Sequence, residues 1–206
     1  MHRLIFPPKC VLCTKILSKE ELDLCHRCRT NTVIFKRAKR KIPHVAHWTA
    51  LWYYKDDVRK SIHRFKFWRR ISYVPSYGRL VAPLLLQKES DILSWIPVSF
   101  QRKLKRGYDQ SQVLAQAVGK ELGIPVTPVL KKIRHTPPQS GIIGAAQRRA
   151  NVLNAYRAIR PDAIQGKRIW LLDDVVTTGA TASECAQTLL LAGAKEVYVA
   201  AIAAAE

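Results

Sequence analysis

Two rhythms of apolar residues run along this chain. Residues 169–172 (IWLL) are a short unbroken apolar run with a β-branched start, which predicts a strand buried on both faces and parallel in character. The Ala- and Leu-rich stretch 180–192 predicts a helix that stops at Gly193 and Lys195, and residues 197–202 predict another buried strand. Upstream, residues 48–54 read as a strand. Val58, Ile62 and Phe65 then share one helical face, with Asp56 or Asp57 available as a cap and Arg59, His63, Lys66 and Arg70 turned outward. Residues 80–86 carry a helical pattern interrupted by Pro83. Residues 93–98 read as a strand that Pro97 ends. Leu114, Val118 and Leu122 mark a helix from Ser111 to Gly123, and residues 126–130 form a further strand. Pro137, Pro138, Gly141 and Gly144 make residues 131–156 a long loop that joins no sheet. Strands alternating with helices predict an α/β domain with a mostly parallel sheet and helices on both faces.

The chemistry concentrates after the 169–172 strand. Asp173 and Asp174 come first, followed by Val175, Val176, Thr177, Thr178, Gly179, Ala180 and Thr181. Small and hydroxyl residues around a glycine suit a loop whose N–H groups face an anion at a helix N-terminus. Carboxylates accept hydrogen bonds from a diol and sit at the carboxyl end of the strand, where open α/β sheets bind ligands. A solvated acidic pair beside a plain helix cap would explain parts of this string, but the whole ordered string is more demanding. It resembles the ribose-phosphate motif of type I phosphoribosyltransferases. That resemblance implies contacts from Asp173 and Asp174 to the ribose hydroxyls and a 5′-phosphate cradled by residues 176–181.

Composition changes the picture in three ways. First, 206 residues with 48% hydrophobic content suffice for one full domain and a small appendage. No run reaches membrane-spanning length and the N-terminus lacks a secretory pattern, so a cytoplasmic location is expected. Second, the formal charge is +20, and residues 36–70 alone hold twelve Lys and Arg against two acidic residues. Such a field attracts polyanions: nucleic acid, an anionic membrane surface or phosphorylated ligands. Aromatics interleave with bases over residues 47–70, which is either an amphipathic helix with its rings in the core or a single-strand stacking platform. Third, Cys10 and Cys13 form one CxxC and Cys25 and Cys28 another, eleven residues apart. In a cytosolic chain these four thiolates predict a structural zinc site, with His26 a rival ligand inside the second turn. Cys185 stands alone and reads as packing. The expected organisation is a zinc ribbon-like domain over residues 1–35 and an α/β domain over residues 36–206 that includes a basic connector.

The segment RKLKRG places Arg102, Lys105, Arg106 and Gly107 in a basic loop at a strand end, suited to a pyrophosphate. Arg134 lies in the following long basic loop, which reads as a lid or as a plain surface connection. The order RGYDQS, RHTPPQSG, RRANV and then the ribose-phosphate motif, with paired CxxC turns in front and YKDDVRKSIHRFKF between, resembles the ComF family of phosphoribosyltransferase-like competence proteins over nearly the whole chain. Asp109 departs from that pattern, where Asn is expected. The resemblance implies phosphoribosyl pyrophosphate as ligand, Mg²⁺ bound with it, and a part in uptake of single-stranded DNA alongside DNA-uptake machinery proteins. A transferase would use Asp173 and Asp174 to hold the ribose, residues 102–107 to take the leaving pyrophosphate, and Arg134 to close over it. No feature identifies the acceptor. A phosphoribosyl pyrophosphate sensor and a non-enzymatic single-stranded-DNA adaptor are the other readings.

Overall fold

The computed structural model describes residues 7–36, 40–68, 70–136 and 144–205. After a first short helix α1 (His26–Asn31), the chain runs β1 (His47–Tyr53), α2 (Asp56–Phe67), α3 (Val74–Leu85), β2 (Ile92–Trp95), α4 (Phe100–Arg106) and α5 (Gln110–Leu122). It continues with β3 (Leu130–Lys132), α6 (Ala145–Val152), β4 (Tyr156–Ala158), α7 (Pro161–Ile164), β5 (Arg168–Val176), α8 (Ala180–Leu191) and β6 (Glu196–Ala204). The main sheet has the order β1-β6-β5-β2, with every pairing parallel.

Period-two side chains divide the core between the two faces of this sheet. Trp170 and Leu172 of β5 join Tyr198, Ala200 and Ile202 of β6 on one face, under α2, α3 and α5. Ile169 and Leu171 join Val197, Val199 and Ala201 on the other, under α8 and the β3-β4 ribbon. Gly78 lets α3 lie directly on α5, where an added Cβ would come within 2.8 Å of the Ala117 Cβ. The cysteine-bearing segment packs on the first face: Val11 and Leu12 share a core with Ile62 and Phe65 of α2. Ser61 Oγ donates to the Val11 carbonyl and the Arg64 guanidinium to the Leu12 carbonyl, while Arg79 Nε holds Asp23 at 3.0 Å.

The architecture is the expected α/β one, with a parallel sheet and an N-terminal cysteine module. Several elements differ locally. β5 does not stop at residue 172 but runs on to Val176, because β6 is long enough to pair Val175 with Ala203 and Val176 with Ala204. The acidic pair therefore lies within the strand. α3 continues through Pro83, which is exposed and lacks the N–H that would donate to the Arg79 carbonyl. α2 starts at Asp56 with Lys55 as cap residue and no side-chain cap; Asp56 and Asp57 sit in its first turn, where the helix dipole favours them. Of residues 126–130, Val126 bridges Leu93 and Leu130 opens β3, while Pro125 and Pro128 have no N–H for a longer ladder on the main sheet. The region expected as a long loop contains α6 and is bounded by the antiparallel β3-β4 pair, which stays apart from the main sheet. The expected lid residues 137–143 lie outside the described residues.

Candidate sugar-phosphate cleft and cysteine cluster

At the carboxyl ends of β1, β2 and β5 the chain opens into a cleft of about 510 Å³, within the range of small-molecule sites. Its floor is the acidic pair. Asp173 Oδ1 accepts from Ser111 Oγ at 3.1 Å and from the Asp174 amide at 2.8 Å. Asp174 Oδ1 lies 2.7 Å from Lys66 Nζ. Burial pushes the Asp173 carboxyl up to about 7, the Asp174 charge adds to this, and Lys66 partly offsets it. The floor thus presents one ion-paired carboxylate beside one that holds a proton near neutrality.

One wall is the turn into α8. Val176, Thr177, Gly179, Ala180 and Thr181 line the cleft, whereas the Thr178 hydroxyl folds back to accept from the Ala180 amide at 3.4 Å. Gly179 is the helix cap with φ 81° and has no side chain to cap the turn, so among the described residues the Thr178 hydroxyl on the Ala180 amide is the one side-chain bond to the first turn. The N-terminal amides of this 12-residue helix and its dipole therefore open toward an anion. An added Cβ at Gly179 would meet Ile42 Cγ1 at 2.7 Å, in a backbone conformation that side chains resist. Gly179→Ala is expected to weaken anion binding at least tenfold and to destabilise the protein by about 1–3 kcal/mol. Phosphate-dependent thermal shifts beside wild type would check both effects.

The opposite wall is basic. Residues 100–106 form a helix rather than the expected loop, closed by Gly107 at φ 84°. Arg102, Lys105 and Arg106 of α4 line the cleft; Gly107 ends the helix and does not. Arg102 donates to the Thr136 carbonyl, and half-burial lowers its pKa. Arg106 reaches Gln110 Oε1 at 2.8 Å and stands 5.3 Å over the Phe67 ring. Arg134 is elsewhere: exposed, its Nη2 donates to the carbonyls of Asn151 and Leu153 at 3.1 and 2.7 Å, at the end of α6. Asp109 caps α5 by accepting from the amides of Ser111 and Gln112, and its other oxygen accepts from the Val98 amide at 3.0 Å. A carboxylate at this position can do the helix-capping work of an Asn.

Among the lining residues that sequence reasoning did not assign to the site are Lys66, Lys132 and Tyr156. Lys66 follows the outward-facing pattern of α2 yet turns into the cleft. Lys132 donates to Tyr156 Oη at 3.1 Å, and burial draws its pKa down to about 8. The signal for Lys132 is strand alternation in LKK, which turns one lysine outward and the next inward. Of the interleaved aromatics, Trp48, Trp52 and Phe65 are buried, while Phe67 and Trp68 remain more than half exposed.

The four sulfurs of Cys10, Cys13, Cys25 and Cys28 all lie within 4.8 Å of one another, and Cys13 and Cys25 are 3.6 Å apart. Tetrahedral zinc with bonds of about 2.3 Å needs sulfur separations near 3.8 Å, so the four thiolates fit one Zn²⁺ and would hold it as a closed structural site. His26 belongs to α1 and is not in this group.

Residues 1–39 match the double zinc ribbon domain family. The chain is 29% identical over 202 residues to DNA utilization protein YhgH of Salmonella typhi, covering 92% of this chain and 87% of that protein. It is 30% identical over 156 residues to competence protein F of Haemophilus influenzae, covering 71% and 68%. Among solved structures it is similar to the glutamine phosphoribosylpyrophosphate amidotransferase of B. subtilis complexed with ADP and GMP, with a TM-score of 0.43 and 25% identity. That likeness covers 63% of this chain and spans about a quarter of the amidotransferase (26%). No helix among the described residues is long and apolar enough to cross a membrane.

Proposed function

The chain belongs to the family of competence protein F and DNA utilization protein YhgH, and from that premise we propose that its cleft binds phosphoribosyl pyrophosphate in the service of DNA uptake. One observation carries the reading: a single cleft brings together an acidic pair for a diol, an open helix N-terminus for a phosphate, and a basic helix for a second, more distant phosphate group. Asp173 and Asp174 accept from the ribose hydroxyls. The amides of Gly179 and Thr181 and the hydroxyls of Thr177 and Thr181 hold the 5′-phosphate, beside the Ala180 amide that the Thr178 hydroxyl engages. Arg102, Lys105 and Arg106 face the pyrophosphate. Mg²⁺ would neutralise pyrophosphate oxygens and arrive with the ligand, since Lys66 already occupies one oxygen of Asp174.

If the site turns over, the C1–oxygen bond to pyrophosphate breaks and a bond from C1 to an acceptor forms. The sugar carries positive charge at the transition state, and Asp174, paired with Lys66, would stabilise it from the sugar side. Binding without turnover would make the same cleft a sensor. A second reading, single-stranded-DNA binding, is favoured by the exposed Phe67 and Trp68, with Arg106 over the Phe67 ring, on the rim of a +20 chain. Calorimetric titration of the full, zinc-loaded chain with phosphoribosyl pyrophosphate and Mg²⁺ tests the proposal. Saturable binding that pyrophosphate competes away supports it. Absence of binding by the folded protein, together with salt-sensitive binding of an oligonucleotide, overturns it in favour of the DNA adaptor.

A further inference from the structure

Lysines in the last turn of a helix ordinarily reach for solvent and complement the helix dipole. Lys66 does not. Its side chain is only 19% exposed and its ammonium lies 2.7 Å from Asp174. The helix that carries it is fixed along its length: Ile62 and Phe65 are fully buried, Ser61 and Arg64 bond to carbonyls of the cysteine module, and Tyr108 Oη donates to the Phe65 carbonyl. A rigid element therefore aims a cation at the floor of the cleft.

We propose that Lys66 is a positioning and specificity residue of this cleft, holding the Asp174 carboxylate toward a ligand hydroxyl and lending its sugar-side wall the charge that selects a sugar phosphate over an uncharged sugar. The inference rests on the reading of the cleft as a ribose-phosphate site. Three observations support it. Lys66 and Asp174 both line the cleft, so a ligand meets the pair rather than one member. The ion pair engages one carboxylate oxygen, Asp174 Oδ1, and a carboxylate and an ammonium each keep further hydrogen-bonding capacity beyond such a contact. Among the described residues, Lys66 is the only cationic side chain within ion-pairing distance of either carboxylate. The other groups that interact with the pair are Ser111 and Asp109 at the start of α5, Tyr77 of α3, Arg102 of α4, Lys132 of β3, Tyr156 of β4 and Cys185 of α8; of these the Ser111 hydroxyl bonds to it and the rest act through charge.

The test uses Lys66→Met, Lys66→Gln and Lys66→Arg in the full chain, with two readouts. The first is the carboxyl carbon titration of Asp173 and Asp174 by NMR in the ligand-free protein. Both neutral variants are expected to move the midpoint of the pair up by about one unit, because the charge opposing burial is gone, while Lys66→Arg leaves it near the wild-type value. The second is calorimetry with phosphoribosyl pyrophosphate and with free ribose. The neutral variants are expected to lose about tenfold or more in affinity for the phosphorylated sugar, and Lys66→Arg to retain most of it. Two neutral side chains of different polarity separate loss of charge from a packing fault. An unmoved midpoint overturns the inference whatever binds. Tighter binding by the neutral variants also overturns it, since Lys66 would then be a plug. A moved midpoint in a wild-type protein that binds no sugar phosphate overturns the sugar-phosphate reading and the specificity role, and leaves standing only the hold of Lys66 on Asp174.

Discussion

Asp173→Asn is expected to weaken sugar-phosphate binding by roughly ten- to a hundredfold or more and, at the same time, to make the protein more stable at neutral pH. The loss follows from the acceptor that a diol requires. A hydrogen bond to a carboxylate contributes about 1.5–3 kcal/mol, so affinity should fall by roughly ten- to a hundredfold or more. The gain follows from burial. The Asp173 carboxyl titrates at about 7 in the fold, against an ordinary value of 3.8. Between these values the unfolded chain gives up a proton that the folded one keeps. Stability therefore falls as pH rises from about 4 to about 7 and stays reduced above that. Asn carries no such penalty, and its oxygen can still accept from Ser111 and the Asp174 amide. The stabilisation should be about 1–3 kcal/mol at pH 8 and vanish near pH 4. Thermal melts at both pH values check the sign. Equal melting temperatures for wild type and variant at pH 8 would refute the claim that Asp173 is strained by burial. Asp174→Asn should lose binding too, but it should lower stability, because it leaves Lys66 in the cleft without its counter-ion.

Removing zinc should have the larger structural effect. The module around Cys10, Cys13, Cys25 and Cys28 has one short helix and few apolar side chains of its own. What it contributes to the core, notably Val11 and Leu12, belongs to one cluster with Ile62 and Phe65 of α2. Structural zinc supplies about 10 kcal/mol or more to such segments at neutral pH, and the ligands are what close the two turns. Strong chelation or Cys28→Ser is therefore expected to release the module, break the attachments of Ser61, Arg64 and Arg79, and lower the melting temperature by about 10 °C or more. Metal analysis should give one zinc per chain in wild type and none in the variant. Cys185→Ser, on the buried face of α8, should keep its zinc and lose only about 1–2 kcal/mol. A chelated protein that melts like the metal-loaded one would show that the cysteines do not hold the fold.

The α/β architecture was legible because its strongest cues are local. IWLL, the acidic pair and the Gly179 turn occupy consecutive positions, and a buried strand feeding a helix has few alternatives. The paired CxxC turns were legible for the same reason. What could not be read depends on partners distant in sequence. The end of β5 was placed too early because the residues of β6 that pair with its extension, Ala203 and Ala204, lie beyond the predicted strand 197–202 and give no strand signal of their own. The RKLKRG segment lacks an apolar face, so nothing in its pattern announced α4, which buries none of its residues. Lys66 sits at an outward position of α2 by period alone. Only the packing of that helix on the cysteine module turns its last residues toward Asp174. Arg134 was chosen for its charge and its place in a basic loop, and the structure ties it to α6 carbonyls instead.

The strand order has a consequence for how the chain is made. β1 lies beside β6, so that His47 faces Tyr198 and Tyr53 faces Ala204. Along its other edge, among the described residues, β1 has one bridge, from Trp52 to Ile34. A ribosome delivers β1 long before β6, and the strand cannot take up its parallel ladder in the interval. The cysteine module closes over short separations and can order early. The Trp-rich strand behind it waits with an open edge, the situation in which nascent chains aggregate or engage holding chaperones. High contact order of this kind slows folding, and it makes residues 196–204 the segment whose synthesis permits the sheet to close.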